Sequence, residues 1–168
     1  MVSKRVQAQV QAGTPALVAL AEAAVRHTVH DYAHDPTSEL GYGAEAATAL
    51  GVEAGRVFKT LVVAVDSDLA VAVVPVDRQL DFKAFARAVS GKRAVLAEAI
   101  DAERATGYVV GGISPIGQRR RLRTVVDQTS LDQQTVYVSA GRRGLDVELA
   151  PGDLVSMTSA VTALIARA

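Results

Sequence analysis

The middle of the chain carries the stretch Tyr108-Val109-Val110-Gly111-Gly112-Ile113-Ser114-Pro115-Ile116-Gly117-Gln118-Arg119-Arg120-Arg121. A β-branched run ends there in paired glycines, and a proline and a further glycine precede consecutive arginines. Glycine lacks a Cβ, so its backbone can approach a ligand closely or adopt a positive φ. A series of such amides can donate hydrogen bonds to an oxyanion or a phosphate. The same pattern also fits a tight turn followed by a solvated basic loop, and the residue types alone favour neither interpretation.

The composition limits the kind of protein this chain can form. At 168 residues, the chain is long enough for one domain with a sizeable core. Lys and Arg total 18 and Asp and Glu total 18, so any nucleic-acid contact must come from a local patch. Aromatic residues make up only 4%, which leaves little material for stacking RNA bases. We therefore expect an aliphatic core and a local basic contact at residues 119–121.

The chain contains no cysteine, which excludes disulfides, thiolate metal sites and a cysteine nucleophile supplied by the protein. The first residues lack the apolar centre of a signal peptide, and no run approaches the roughly 18 apolar residues of a membrane span. These features predict a cytoplasmic protein without membrane contact. We expect residues 1–13 to form a flexible arm and residues 14–168 to form a single domain.

The histidines His27, His30 and His34 lie close together in the sequence and suggest a metal site. Residues 28–32 alternate and predict a strand with His30 and Tyr32 on one face, whereas His34 follows the strand. No acidic or histidine cluster elsewhere in the sequence completes a ligand set at a suitable spacing. We therefore expect no metal and no cofactor, and we interpret these histidines as polar residues of a half-exposed strand.

A second informative stretch is Val57-Phe58-Lys59-Thr60-Leu61-Val62-Val63-Ala64-Val65. It is apolar at both parities beyond Thr60, which predicts a central strand covered on both faces. Lys59 shares a face with Leu61 and Val63, so its ammonium either reaches solvent at the sheet edge or points into the mouth of a pocket. For a lysine at such a position, extension to solvent is the commoner outcome.

The remaining patterns alternate between helices and strands. Helices are predicted at residues 15–27, 44–50, 80–89, 97–105 and 154–167, and strands at residues 28–32, 57–65, 69–76, 123–126, 135–139 and 145–149. The turn at residues 66–68 predicts a hairpin, which argues against a simple doubly wound sheet. We expect an α/β (α+β) domain around a mixed, strongly curved sheet.

Five ordered segments match a pattern known from one protein family. They are residues 28–35, 57–61, 70–76, 106–118 and 138–146. In these segments the chain resembles the YbaK/EbsC family of free-standing aminoacyl-tRNA deacylases, which are similar to the editing domain inserted in bacterial prolyl-tRNA synthetases. The form Gly111-Gly112-Ile113-Ser114-Pro115 looks most like the branch that acts on Cys-tRNA(Pro) and Cys-tRNA(Cys). The resemblance implies a barrel-like sheet with flanking helices and the removal of cysteine from mischarged Cys-tRNA(Pro).

The resemblance also implies which residues form the site. Lys59 falls on the family's essential lysine position, and Gly111 begins a Gly-x-x-x-Pro element whose backbone lines the aminoacyl pocket. The resemblance thus implies Lys59, Gly111 and Gly112 as the catalytic residues, with amides of the glycine pair contacting the ester carbonyl. Substrate-binding positions are implied at Tyr32, Tyr42, Thr60, Ser114, Ser139 and Asp146. Arg119, Arg120 and Arg121 are the expected tRNA contacts. Tyr42 stands where relatives often carry phenylalanine, which leaves the role of its hydroxyl open.

The mechanism implied by the resemblance is attack of the substrate's own thiol on its ester, which releases tRNA and a cyclic thiolactone. Such a reaction needs carbonyl polarisation and positioning more than a protein nucleophile. Two alternatives remain open: a deacylase of another mischarged tRNA, such as Ala-tRNA(Pro), and a tRNA-binding module of the same fold without turnover. Prolyl-tRNA synthetase is a candidate partner, and the sequence does not specify the oligomeric state.

Overall fold

A computed structural model describes residues 13–168, so nearly all of the expected N-terminal arm lies outside the described residues. The helices are α1 (Pro15–Glu22), α2 (Tyr42–Leu50), α3 (Phe82–Ala88), α4 (Ala99–Thr106) and α5 (Pro151–Thr158). The strands are β1 (His27–Asp31), β2 (Phe58–Val65), β3 (Asp68–Pro75), β4 (Gln79–Leu80), β5 (Ala94–Leu96), β6 (Arg123–Asp127), β7 (Val136–Arg142), β8 (Leu145–Leu149), β9 (Val161–Ala163) and β10 (Ala166–Arg167). In the described residues, no helix is long and apolar enough to cross a membrane.

The largest sheet has five strands in the order β5-β2-β3-β6-β9. Strands β2 and β3 form the predicted antiparallel hairpin, in register from Phe58↔Pro75 to Val65↔Asp68. The sheet is mixed, because β6 runs parallel to β3 and β9 runs parallel to β6. The prediction that β2 is an internal strand is confirmed, since it lies between β5 and β3 and contributes to apolar clusters on both faces of the sheet.

A second sheet contains three antiparallel strands in the order β1-β8-β7. The strict alternation of β8 places Val147 on the face that packs into the main apolar core, with Leu145 and Leu149 beside it. Asp146 and Glu148 therefore point from the opposite face, as predicted. Helix α2 packs near this polar face through a small cluster that includes Val57 and Tyr137.

The expected barrel-like, strongly curved sheet is not found. In residues 13–168 the strands divide into sheets of five, three and two strands, and none of these sheets is closed. The two larger sheets meet at a parallel bridge between Val57 and Tyr137. Beyond this bridge the edge of β2 is not paired with β7, so the hydrogen-bond ladder that would close a barrel does not continue.

The predicted C-terminal helix is too long. Helix α5 ends at Thr158, and Ser159 has a φ of +52° that stops the helix. The chain then forms β9 and β10 instead of further helical turns. The buried Asp127 carboxylate accepts hydrogen bonds from the backbone of Ile165 at 2.9 Å and of Ala166 at 3.0 Å. Long-range pairing therefore overrides the local helical pattern in this segment.

Two helices that begin at or near their predicted starts, α1 and α3, have side-chain caps. The Thr14 hydroxyl accepts a hydrogen bond from Leu17 N at 3.3 Å, and the Asp81 carboxylate accepts one from Ala84 N at 3.0 Å. Helix α1 is shorter than predicted, since it ends at Glu22 and β1 begins at His27.

Candidate functional site

A cavity of about 510 Å³ lies where the two larger sheets diverge. Along one edge of β2, Val57 forms the bridge to Tyr137, and the ladder to β5 begins only at Val63. The intervening residues 57–62 all line the cavity. The gap that prevents barrel closure is therefore the gap that creates the pocket.

The lining of the cavity is mainly apolar with a few polar side chains. The polar side chains are Tyr32, Tyr42, Lys59, Thr60, Ser139 and Asp146. Backbone from Gly111 also lines it. The structure thus brings together the predicted lysine, the first glycine of the Gly-Gly pair and five of the six predicted substrate-binding residues. An apolar pocket with a few convergent polar groups is typical of a small-molecule site.

Lys59 lies in the wall of the cavity rather than extending freely to solvent. Its side chain is half-buried, and this burial lowers the pKa of the ammonium below its usual value, although the charge of Asp77 partly offsets the shift. Desolvation strengthens the electrostatic interaction of a cation with any anion that enters beside it. Lys59 is therefore suited to stabilise negative charge in the cavity.

Thr60 follows Lys59 on β2 and offers a second polar contact. Its hydroxyl oxygen is buried and makes no hydrogen bond within residues 13–168. An unpaired buried hydroxyl costs roughly 1–3 kcal/mol. Neighbouring side chains of a strand point to opposite faces, so Thr60 and Lys59 contribute to the cavity from opposite faces of β2.

Asp146 supplies the carboxylate of the cavity from the polar face of the three-stranded sheet. It pairs with Ser139 of β7 on one side and with His30 of β1 on the other. Burial raises the pKa of Asp146 to about 6, although nearby His30 opposes the shift. The side chain is only 5% exposed and accepts no hydrogen bond from the described residues. It is thus a buried acceptor at the cavity wall.

Tyr32 lies beside this carboxylate, just after the end of β1. Burial raises the pKa of Tyr32 to about 12, and the charges of Asp146 and Glu45 add to the shift. The phenol therefore stays protonated and can donate a hydrogen bond. The Ser139 hydroxyl accepts a hydrogen bond from Gly141 N at 3.2 Å, and no described histidine contacts it.

Gly111 lines the cavity with a backbone that only glycine adopts readily. Its φ is +91°, and a Cβ there would lie 2.7 Å from Tyr42 Cζ and 2.8 Å from Arg143 Nε. The N–H of Gly111 donates no hydrogen bond within the described part of the chain. The first glycine of the pair therefore brings a free amide donor to the cavity.

Gly112 and Ser114 take supporting positions outside the cavity lining. A Cβ at Gly112 would lie 2.7 Å from backbone atoms of Arg142, so glycine is required for close packing of this turn against the β7–β8 hairpin. Ser114 is fully buried, and its hydroxyl accepts a hydrogen bond from Ile116 N at 3.2 Å. Both residues shape the turn that presents Gly111.

The predicted tRNA contacts Arg119, Arg120 and Arg121 are exposed and do not line the cavity. The backbone of the segment is attached to helix α4, since Arg119 N donates to Thr106 O at 2.9 Å and Arg120 N donates to Ala105 O at 3.0 Å. Their side chains remain available to a large polyanion outside the cavity.

Arg143 is the main site residue that the sequence analysis missed. Its Nε and Nη2 donate to the Val110 carbonyl at 3.0 and 2.7 Å, across 33 residues of sequence. Its guanidinium carbon lies 5.0 Å from the centre of the Tyr42 ring. The basic turn at residues 140–144 is visible in the sequence, but no local pattern indicates that it reaches the Gly-Gly turn.

Glu45 is a second residue that the sequence did not indicate, and it contacts His34, which lies beside Tyr42. This buried carboxylate on α2 accepts a hydrogen bond from Asp35 N at 2.7 Å and lies 3.1 Å from His34 Nδ1. The His34 ring lies 5.7 Å from the Tyr42 ring. His30 lies 3.0 Å from Glu148 and His27 lies 2.7 Å from the Val25 carbonyl, so the three histidines have separate partners.

A family model described as an aminoacyl-tRNA editing domain matches residues 39–157, a range that contains most of the cavity lining. The chain belongs to this family. It is therefore an enzyme of the aminoacyl-tRNA editing deacylase family, and the family-level expectation from the sequence is confirmed.

Individual proteins and solved structures are similar to this chain. A protein of Enterococcus faecalis named "Putative Cys-tRNA(Pro)/Cys-tRNA(Cys) deacylase EbsC" is 40% identical over 114 residues, which cover 67% of this chain and 70% of the relative. The crystal structure of a hypothetical protein matches with a TM-score of 0.81 at 28% identity, over 92% of this chain and 100% of that one. The fold also matches a "putative trans-editing enzyme for prolyl tRNA synthetase" with a TM-score of 0.76 at 22% identity, over 100% of both chains.

Proposed function

We propose that this protein removes cysteine from mischarged Cys-tRNA(Pro), with Cys-tRNA(Cys) as a further substrate, and that the substrate's thiol attacks its own ester. One observation carries the proposal: the cavity offers groups that bind and polarise an ester, but neither Ser139 nor Thr60 in its lining donates a hydrogen bond to a base among the described residues. Cysteine is absent from the sequence, and Ser139 has no histidine partner in residues 13–168. The printed name of the Enterococcus relative supports cysteine as the amino acid.

The proposed reaction is balanced without any added reagent. The cysteinyl thiol loses its proton, and the thiolate sulfur forms a bond to the ester carbonyl carbon. The bond between that carbon and the ribose oxygen then breaks, and the ribose oxygen takes up a proton. The products are a cyclic thiolactone and tRNA with a free terminal hydroxyl. The protein contributes positioning and charge stabilisation, which can lower such a barrier substantially.

Lys59 and Gly111 are the proposed catalytic groups. The Lys59 ammonium stabilises the negative charge that develops as the ester is attacked, and its partly desolvated position strengthens this interaction. The free N–H of Gly111 donates to the carbonyl oxygen. Gly112 acts with it by holding the turn against the hairpin.

The remaining polar residues of the cavity are the proposed binding groups. Asp146 accepts hydrogen bonds from the α-ammonium of the substrate, and Tyr32 and Ser139 border that position. The unpaired hydroxyl of Thr60 contacts the ester or the terminal ribose. Tyr42 closes the pocket beside Gly111. Ser114 acts indirectly, by shaping the turn.

The exposed run Arg119, Arg120 and Arg121 is the proposed contact for tRNA phosphates. Arginines on a surface outside the cavity can neutralise phosphates without taking part in the chemistry. Prolyl-tRNA synthetase as a partner stays a prediction.

The decisive experiment compares aminoacyl groups on one tRNA. We expect release of tRNA from Cys-tRNA(Pro) to be much faster than from Ala-tRNA(Pro) or Ser-tRNA(Pro). Alanine has no side-chain nucleophile, and the hydroxyl of serine is far less ionised than a thiol near neutral pH. Mass spectrometry of the small product should show a thiolactone, which is one water lighter than cysteine.

Alkylation of the substrate thiol provides the matched control. The S-alkylated Cys-tRNA(Pro) should still bind but should not be cleaved. Cleavage of the alkylated substrate at the normal rate would refute thiol attack, and preferred cleavage of Ala-tRNA(Pro) would assign the protein to the alanine-specific alternative.

A further inference from the structure

We propose that Arg143 is a positioning residue that orients and polarises the Val110–Gly111 peptide, so that the Gly111 N–H faces the ester carbonyl of the substrate. The inference rests on the proposed function and names a residue that acts on the site through another. Arg143 lies on the β7–β8 hairpin, and no local sequence pattern connects it with the Gly-Gly turn.

Val110 and Gly111 share one peptide group in the lining of the cavity. The C=O of Val110 and the N–H of Gly111 belong to the same peptide, and in a trans peptide they point in opposite directions. Residues 13–168 contain no cis peptide bond. Arg143 holds the carbonyl with two hydrogen bonds, at 3.0 and 2.7 Å. The N–H of Gly111 is thereby directed away from the guanidinium, and both residues of this peptide line the cavity.

The charge of Arg143 also affects how strongly the Gly111 N–H donates a hydrogen bond. A guanidinium that donates two hydrogen bonds to one carbonyl withdraws electron density from the peptide and makes its N–H a stronger donor. The turn has two other restraints, from Val110 N to Glu103 Oε2 at 2.9 Å and from Gly112 N to Val109 O at 2.9 Å. Neither of these fixes the Val110 carbonyl, so Arg143 alone does so among the described residues.

Arginine suits position 143 better than lysine does. Its planar fork binds the carbonyl through two nitrogens while its face lies against the Tyr42 ring, at 5.0 Å from the ring centre. A lysine would keep the charge but would lack the fork and the stacking. Arg142, the exposed neighbour, makes no side-chain hydrogen bond or ion pair within the described part of the chain, so it provides a matched control.

The kinetic test uses cysteinyl adenosine, which carries the ester but few phosphates, beside Cys-tRNA(Pro). We expect Arg143→Met to lower kcat on both substrates by about 10- to 100-fold, below the loss caused by removing an oxyanion donor, with KM nearly unchanged. Arg143→Lys should recover only part of kcat, and Arg142→Met should match the wild type. Normal kcat in both Arg143 variants would overturn the inference. A loss confined to KM for the tRNA substrate would overturn it too, because Arg143 would then be a phosphate contact.

A spectroscopic test reads the peptide directly. Val110-Gly111 is the one Val-Gly pair in the sequence, so labelling valine carbonyls with ¹³C and glycine amides with ¹⁵N gives a single carbonyl–amide correlation. We expect Arg143→Met to shift both the Val110 carbonyl and the Gly111 amide signals, whereas Arg142→Met leaves them in place. Unchanged signals in Arg143→Met would overturn the contact. Failure of the wild type to cleave any cysteinyl ester would instead refute the proposed function, so the two failures are distinguishable.

Discussion

Two groups of polar side chains share one face of the three-stranded sheet, yet their hydrogen bonding differs sharply. The outer group consists of His30, Arg56, Thr135, Tyr137 and Glu148. Its central carboxylate accepts a hydrogen bond from the Thr135 hydroxyl at 2.5 Å and lies 3.0 Å from His30 Nε2 and 3.6 Å from Arg56 Nη2. The Arg56 guanidinium also lies 5.3 Å from the centre of the Tyr137 ring. The members of this group use their polar atoms on one another.

The cavity group consists of Tyr32, Ser139 and Asp146, two residues further along the same strands. Hydrogen bonds, first of all from Thr135, lower the pKa of Glu148, whereas burial raises the pKa of Asp146 to about 6. The two carboxylates lie on one face of β8, and their different surroundings shift their pKa values in opposite directions. We expect the outer group to support the fold and the cavity group to bind a substrate, because polar groups with perturbed pKa values are common in active sites.

Substitution of Lys59 should have the largest effect on deacylation, and it tests whether this residue of the cavity takes part in catalysis or stabilises the fold. Lys59→Met keeps the bulk of the side chain and removes its charge. We expect deacylation of Cys-tRNA(Pro) to fall by roughly 10²- to 10³-fold, the scale for a group that stabilises developing charge. Because burial disfavours the Lys59 ammonium, the free energy of unfolding should hold or rise.

Single-turnover assays and urea denaturation measure the two quantities. A folded Lys59→Met protein with near-normal turnover would remove Lys59 from the catalytic groups, and a large loss of stability would show that it supports the fold after all.

The next prediction concerns how Asp146 and Glu148 affect the free energy of unfolding. The pKa of Asp146 is raised from 3.8 to about 6 by folding, so its ionisation lowers stability as pH rises between these values. Asp146→Asn should therefore be more stable than the wild type at pH 7, by up to roughly 3 kcal/mol, and its stability should vary less with pH in this window. Activity should fall, because the variant has no carboxylate to bind the α-ammonium of the substrate.

Glu148→Gln should behave in the opposite way. The pKa of Glu148 is lowered by its partners, so its contribution to stability is present above its unfolded pKa and is lost as pH falls. We expect a loss of roughly 1–3 kcal/mol at pH 7, with turnover nearly retained in the folded protein. Urea denaturation from pH 3 to pH 7 checks both variants. Stability changes of the same sign would contradict the distinction between the groups.

The smallest effect on catalysis is expected for the exposed arginines, which belong neither to the outer group nor to the cavity group. Replacing Arg119, Arg120 and Arg121 by alanine should weaken tRNA binding and flatten its salt dependence, with a change in slope of about 0.7–0.9 for each phosphate that the protein no longer neutralises. Cleavage of cysteinyl adenosine should stay the same, since these arginines do not line the cavity. An unchanged tRNA affinity across a salt series would make the run a solvated loop.

Much of the secondary structure could be predicted because its causes are local. Thr14 and Asp81 cap helices that begin within two residues of their predicted starts, and the β2–β3 hairpin follows from two apolar runs separated by a short turn. Strand β5 and the C-terminal strands were missed, because they are short and depend on partners elsewhere in the chain.

Part of the candidate site was also within reach of the sequence. Lys59, Gly111 and Asp146 fall on positions that the family resemblance implies, and the structure gathers them around one cavity. The resemblance did not separate Gly111 from Gly112, because both glycines permit close approach and only the surrounding backbone shows which partner each one meets.

By itself, the sequence determined the order of the main helices and strands, the mixed sheet, the family and the absence of a cysteine nucleophile. Only the tertiary structure decided that the two larger sheets meet at a bridge and then diverge, that Arg143 reaches Val110, and that Asp146 and Glu148 differ in pKa. The physical reason is range: caps and periodicity act over a few residues, whereas burial, desolvation and hydrogen-bond partners depend on segments that meet only in the folded chain.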